Sequence, residues 1–249
     1  MGFECGSESK AGRTIMNTIA IILAGGKGTR MGTDIPKQYL PINGRPLLYY
    51  TLLAFEHSKV DGIILVAGKG DLEYCQREIV DANELKKVKR IVAGGAERYQ
   101  SVENGLQLCP EDGCVLVHDG ARPCIKPHEI NKLIECLETT KAAILAVPVK
   151  DTIKVVQKKD GRQYVTQTPD RSTLWQAQTP QGFRTSVLLE AYSGFHASKD
   201  TAITDDAMLV EQFTDYEVAV LMGNYENLKV TTPEDLELAQ GILQAFDKK

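Results

Sequence analysis

Leu23-Ala24-Gly25-Gly26-Lys27-Gly28-Thr29-Arg30-Met31-Gly32, closed by Pro36-Lys37, is the stretch that decides how this chain is read. The apolar run at 19–23 leading into it predicts a buried first strand. A glycine-rich turn leaving a strand exposes backbone N–H groups that can wrap a phosphate chain. Arg30 and Lys37 bring two fixed positive charges to the same place, a combination suited to a nucleoside triphosphate. Two better-known loops fail on spacing. A Walker A loop requires Gly-Lys followed by Ser or Thr, whereas Lys27 is followed by Gly28. A dinucleotide fingerprint requires a third glycine where Met31 stands. The plainer reading of the same residues is a tight strand-to-helix turn with a solvated Lys and Arg.

Outward from this loop the chain alternates. Apolar β-like runs occur at 19–23, 62–67, 90–93, 114–118, 142–147 and 217–221. Helical periodicity occupies 47–56, 72–80, 99–108 and 128–138 between them. Strand then helix, repeated, predicts an α/β, Rossmann-like, mostly parallel sheet with helices on both faces and right-handed crossovers. Residues 150–168 break the pattern. Two alternating β runs there flank Asp160-Gly161, a hairpin signal. Such an arm either folds back on its own domain or covers its edges by pairing with a second subunit.

The bulk numbers describe an ordinary globular chain of 249 residues, 43% hydrophobic and 25% charged. A net charge of -4 supplies no field for nucleic acid or a membrane surface. No apolar run approaches the length of a transmembrane helix. The cysteines at 5, 75, 109, 114, 124 and 136 form no C-x-x-C pair and no zinc-finger spacing, which predicts reduced thiols in a cytoplasmic protein. Residues 1–17 read as a flexible, polar extension without an apolar signal region, and Met16 is an alternative start. Residues 18–249 read as one domain.

Open α/β sheets bind ligands at the carboxyl ends of their strands, so polar loops predicted there are candidate sites. Gly94, Gly95 and Ser101 follow a strand and open a helix, as contacts for a base or ribose or as a plain helix start. Asp119 ends another strand and suits a metal or a hydroxyl, with Arg122 suited to a phosphate. The plainer alternative is a surface Asp–Arg pair. Residues 175–181 read as an amide-rich loop that cradles a ligand or caps the hairpin. Lys229 lies in a β-like run before a helix started by Pro233.

Taken together, these segments resemble the 2-C-methyl-D-erythritol 4-phosphate cytidylyltransferases of the non-mevalonate isoprenoid pathway. The matching pieces are LAGGKGTRM at 23–31, PKQYL at 36–40, GGAERYQSV at 94–102, VHDGARP at 117–123, VKDTIK at 149–154, DRSTLWQAQTPQGF at 170–183, TDDA at 204–207 and NLKVTTPEDL at 227–236. They keep the family's order across residues 18–242. The first piece is shared by many sugar nucleotidyltransferases; the ordered set is far more specific. Gly120 stands where an Ala is frequent, and Ala96 where some members carry Asp.

The resemblance implies a nucleotidyltransferase fold of GT-A type with a protruding β-arm at about 150–170. It also implies attack of a polyol phosphate oxygen on the α-phosphorus of CTP, with pyrophosphate leaving. Arg30, Lys37, Lys229 and Arg171 would be catalytic. Leu23, Ala24, Gly25, Gly26, Gly28, Gly94, Gly95, Ser101 and Thr179 would bind the nucleotide. Asp119, Arg122, Thr152, Thr204 and Asp205 would line the polyol phosphate pocket, joined by Arg171 from the neighbouring subunit of a homodimer. Mg²⁺ would bridge the phosphates, with Asp119 its one candidate protein ligand. Two alternatives stand beside this reading: a cytidylyltransferase for another polyol phosphate such as ribitol 5-phosphate, and a non-catalytic nucleotide-binding protein of the same fold.

Overall fold

The computed structural model describes residues 17–26, 35–198 and 203–247. The expected extension therefore lies almost wholly outside the described residues, as do Gly28 and Arg30. The chain runs β1 (Thr18–Ala24), β2 (Pro41–Ile42), β3 (Arg45–Pro46), α1 (Leu47–Glu56), β4 (Gly62–Ala67), α2 (Leu72–Tyr74), β5 (Val88–Ala93), α3 (Arg98–Leu106), β6 (Cys114–Asp119) and α4 (Pro127–Cys136). It continues through β7 (Ala142–Pro148), β8 (Val155–Lys159), β9 (Arg162–Gln167), β10 (Trp175–Arg184), α5 (Thr185–Ala197), α6 (Asp206–Phe213), β11 (Val218–Met222) and α7 (Pro233–Asp247). The helical run expected at 72–80 is the short α2 continued by a π turn, Cys75–Val80.

A seven-stranded sheet has the order β11-β7-β10-β6-β1-β4-β5. Every pairing in it is parallel except those of β10, which runs antiparallel to both β6 and β7. The expected mostly parallel sheet is present, with helices on both faces. Because side chains alternate across a strand, each central strand feeds two cores. Ala20, Ile22, Leu65 and Leu116 pack with Leu48, Leu52, Phe55 and Leu133 on one face. Ile21, Ile64, Val66, Val115 and Val117 pack with Val102, Leu106, Leu188 and Phe195 on the other.

Two expectations need correction. Residues 175–181 are not a loop but most of β10, a central strand. Instead of cradling a ligand or capping the hairpin, Gln178, Thr179 and Gln181 are buried. Gln181 Oε1 accepts from the backbone N–H groups of Asp206 and Ala207, and Gln178 Nε2 donates to Asn224 O. Polar groups satisfied in this way cost little to bury. Lys229 does not lie in a strand either; its segment is irregular and is held by Val230 N–H donating to Ala121 O at 2.8 Å.

The hairpin forms where expected. Asp160 and Gly161 take left-handed φ values of 51° and 77°, as a two-residue hairpin turn of matching twist requires. Both strands are exposed along their full length, so the arm does not fold back on the sheet. It leaves from Pro148, the end of β7, and returns at Trp175, which pairs with Pro148. β7 and β6 share one direction, so the arm rises from the edge at which Asp119 lies. Among the described residues no helix is long and apolar enough to cross a membrane, and Cys75, Cys109, Cys114, Cys124 and Cys136 are free thiols.

Gly182 marks a tight helix–sheet contact. A Cβ there would lie 2.9 Å from Leu116 Cδ2 and 3.0 Å from Leu137 Cδ1. Gly182→Ala is expected to cost about 1–3 kcal/mol through overpacking, read as a lower urea midpoint at unchanged slope. An unchanged midpoint would contradict this packing.

Candidate active site

The PKQYL segment is a set of ties. Pro36 leads into a single 3-10 turn, Lys37–Tyr39. Lys37 Nζ reaches across to Val230 O at 2.9 Å, drawing the segment before α7 towards the end of β1. Buried Gln38 donates to Ala24 O at 2.7 Å and fixes the last residue of β1. Tyr39 hydroxyl donates to Asp71 Oδ2 at 3.2 Å, anchoring the turn to the loop after β4. Every residue of the turn therefore has a separate job in holding Lys37 beside Gly25 and Gly26.

The space these ties define is a cleft of ≈ 230 Å³ at the carboxyl ends of β1, β5 and β6. Leu23, Ala24, Gly25 and Gly26 form one wall, and Gly95 and Ser101 form the opposite one. Ser101 Oγ accepts from Gly95 N–H at 3.1 Å and donates to Glu97 O at 3.2 Å, stapling that glycine loop to the start of α3. Gly94 lies in an adjoining hollow that also touches Gly25 and Gly26. Lys37, Arg98, Asp119 and Lys229 supply the charge.

Asp119 is the centre of that charge. Lys229 Nζ lies 2.7 Å from its Oδ2, Arg122 Nε 3.9 Å from the same oxygen, and Arg98 Nε 3.7 Å from Oδ1. Burial opposes ionisation of this carboxyl, but Arg98, Lys229 and Arg122 hold it well below the usual carboxylate range. Arg122 is mostly buried and also donates from Nη1 to Asn227 O at 2.8 Å. Burial and the nearby Arg98 lower its affinity for its proton, opposed by Asp119. Arg98 is shifted the other way, because Asp206 and Asp119 together outweigh its burial.

Beneath Asp119 runs a directed hydrogen-bond chain. Asp119 N–H donates to Thr179 Oγ1 at 3.1 Å, so the Thr179 hydroxyl donates onward to His118 Nδ1 at 3.1 Å. His118 Nε2–H then donates to Arg122 O at 3.3 Å, which assigns the tautomer. Thr179 thus stands below the cleft, buried, and not in its wall. Asn227 Nδ2 donates to Thr179 O at 2.9 Å and locks the segment carrying Lys229 onto β10.

A second cavity of ≈ 430 Å³ adjoins the first and is lined by Thr204, Ile203, Tyr99 and Asp206, with Arg98 and Glu97 common to both. Asp205 caps α6, accepting from Met208 N–H and from Gln181 Nε2. Thr152 and Arg171 stand at the base of the arm, exposed, and are not brought to the cleft within one chain. Arg171 Nη1 donates to Lys150 O at 2.7 Å. The structure adds Gln38, Arg98, His118 and Asp206, none of which was a candidate. One signal was available for Arg98: a cation at the first position of a helix opposes the helix dipole and so calls for an acidic partner.

His118 gives this site a pH signature. Complete burial pushes its imidazole down to about 3. The unfolded chain takes up that proton near pH 6.5, whereas the fold refuses it until about 3. Stability held by neutral His118 is therefore complete above pH 6.5 and is lost as pH falls, at up to about 1.4 kcal/mol per pH unit. Urea midpoints from pH 7.5 down to 4.5 should fall more steeply in the parent protein than in His118→Gln; parallel slopes would refute the assignment.

The comparisons with known proteins agree with this geometry. The family described as "IspD: 2-C-methyl-D-erythritol 4-phosphate cytidylyltransferase" matches residues 18–245. The chain is 49% identical to the protein of that name from Lachnospira eligens, over 90% of this chain and 97% of the relative. It is 51% identical to the one from Alkaliphilus metalliredigens, over 90% and 91%. Among solved structures, the 4-diphosphocytidyl-2C-methyl-D-erythritol synthase of Anaerococcus prevotii superposes with a TM-score of 0.78 at 35% identity, over 92% of this chain and 96% of that one. The 2-C-methyl-D-erythritol 4-phosphate cytidylyltransferase of Thermus thermophilus gives 0.73 at 31%, over 92% and 100%. The chain belongs to the 2-C-methyl-D-erythritol 4-phosphate cytidylyltransferase family.

Proposed function

We infer that this protein transfers CMP from CTP to 2-C-methyl-D-erythritol 4-phosphate and releases pyrophosphate, in non-mevalonate isoprenoid precursor synthesis. The observation that carries the reading is a cleft at the strand ends that holds Lys37 with the Asp119 pairs to Arg98 and Lys229, beside Gly25 and Gly26. An oxygen of the polyol phosphate attacks the α-phosphorus of CTP; the bond from that phosphorus to the bridging oxygen breaks, and pyrophosphate carries the electron pair away. A phosphate monoester is largely dianionic near neutral pH, its second ionisation lying near pH 6. No general base is needed, and His118, wholly buried and hydrogen-bonded on both nitrogens, is not placed to be one.

The requirement is charge neutralisation and alignment at a crowded phosphorus. Lys37 and Arg30 would hold the triphosphate, and Lys229 would meet the α-phosphate. Leu23, Ala24, Gly25, Gly26, Gly28, Gly94, Gly95 and Ser101 would contact the nucleotide, with Thr179 bracing Asp119 from below. Asp119, Arg122, Thr204 and Asp205 would form the polyol phosphate side. Among the described residues no cluster of three or more His, Cys, Asp or Glu is gathered for a metal. A cleft with only two carboxylates among its described residues, Glu97 and Asp119, suits Mg²⁺, which draws most of its ligands from substrate phosphates and water, and Asp119 would be its protein ligand. Bound there, it would neutralise phosphate charge.

The arm supports a composite site. Val155, Val156, Tyr164 and Val165 are between 43% and 60% exposed on it, an apolar load that a second copy would cover. A C₂ homodimer would place Thr152 and Arg171 of each chain in its neighbour's cleft.

Pyrophosphate release across CTP, UTP, ATP and GTP, with methylerythritol phosphate and ribitol phosphate as acceptors, tests the function. Turnover is expected with CTP and methylerythritol phosphate and is expected to stop in excess EDTA; preference for another pair would overturn the reading. Lys37→Ala should lower turnover about 100–1,000-fold, the scale of a lost transition-state contact. Mixing Lys37→Ala with Arg171→Ala subunits should restore one competent site per mixed dimer, since the second site collects both defects. No recovery after confirmed subunit exchange would defeat the composite site.

A further inference from the structure

Arg98, the first residue of α3, lies in the wall of both cavities. Its Nη2 stands 2.8 Å from Asp206 Oδ2, and its Nε stands 3.7 Å from Asp119 Oδ1. Asp119 belongs to the first cavity and Asp206 to the second. Asp206 is itself fixed: it is 1% exposed, its N–H donates to Gln181 Oε1, and its Oδ1 shares the Tyr192 hydroxyl proton with Tyr99 O. A guanidinium is a rigid plane with Nε and Nη2 at fixed spacing along one edge, so holding Nη2 at Asp206 sets where Nε can be. Holding Arg98 at Asp206 therefore restricts Asp119 from the side opposite Lys229.

We propose that Arg98 is a positioning residue for the transfer reaction: anchored by Asp206, it partitions the two substrate cavities and fixes the orientation of the Asp119 carboxylate between them. The inference rests on the function proposed above, in which Asp119 faces the polyol phosphate. Lys229 is the partner that must exchange Asp119 for a phosphate when substrates enter. Arg98 then keeps the carboxylate in place after that exchange. Charge alone does not achieve this, because a Lys ammonium is one point charge on a flexible stem and lacks the fixed Nε–Nη2 spacing that spans Asp119 and Asp206.

A double-mutant cycle with methylerythritol phosphate as the varied substrate tests the proposal. Asp206→Asn is expected to lower kcat/KM tenfold or more in the parent. In an Asp119→Asn background the same change should alter it less than twofold, because the group that Asp206 positions is already lost. Tyr192→Phe removes the other side-chain bond to Asp206 but keeps its charge; it should lower Tm and leave kcat/KM within twofold. Arg98→Lys, which keeps the charge and whose folding is checked by its urea midpoint, should match the Asp206→Asn loss. Equal losses from Asp206→Asn in both backgrounds, or an Arg98→Lys protein with parental kcat/KM, would overturn the role of Arg98. If the parent shows no turnover with CTP and methylerythritol phosphate, the function reading falls and takes this inference with it.

Discussion

The site depends on one buried carboxylate staying charged. Asp119 ends β6, where bulk water is mostly excluded, and an isolated charge there would be costly. Lys229, Arg98 and Arg122 come from three different segments, and each carries a charge that would repel the other two without Asp119. The four groups are mutually necessary: removing the carboxylate strands the cations, and removing the cations favours its protonation. The surrounding architecture delivers these partners. β6 lies beside β1, so Asp119 registers with Leu23 at the mouth of the glycine loop. The irregular segment before α7 is pulled in by Val230 and Asn227.

Much of this was readable before any coordinates. The central strands are apolar on both faces, so β4, β6 and β7 stood out as short unbroken runs with matching boundaries. α1 likewise follows its apolar pattern from Leu47 to Glu56. The hairpin was legible because Asp-Gly is chemically suited to two successive left-handed residues, and Asp160 and Gly161 adopt them. In the site, Lys37, Asp119, Lys229, Gly25 and Gly26, all named from the sequence, line one cleft.

What stayed hidden depends on tertiary partners. β10 carries Gln176, Gln178, Thr179 and Gln181, a composition that signals a loop unless the receivers of those side chains are known. The receivers are Asn224 and the N-terminus of α6, more than twenty residues away. Arg98 was not among the candidates. Its meaning comes from Asp206, across the fold, and from Asp119. Thr179 was expected against the nucleotide, but a hydroxyl that both accepts from Asp119 and donates to His118 is spent below the floor. Local pattern reveals which elements form; it does not reveal which polar groups find each other.

The reversed direction of β10 has a consequence for how this molecule can vary. Because β7 ends and β10 begins side by side, with Pro148 opposite Trp175, the excursion between them starts and finishes at clamped points. Closing a longer loop between fixed ends adds cost only logarithmically with length. No core side chain comes from β8 or β9, so no sheet register records how far the chain travels before it returns. The junction behaves as an insertion port: its reach can be lengthened, shortened or re-aimed towards a different neighbour while the charged centre at Asp119 keeps its geometry. In this architecture a change in the arm leaves the charged centre of its own chain untouched, and what moves with it is only what the arm itself carries.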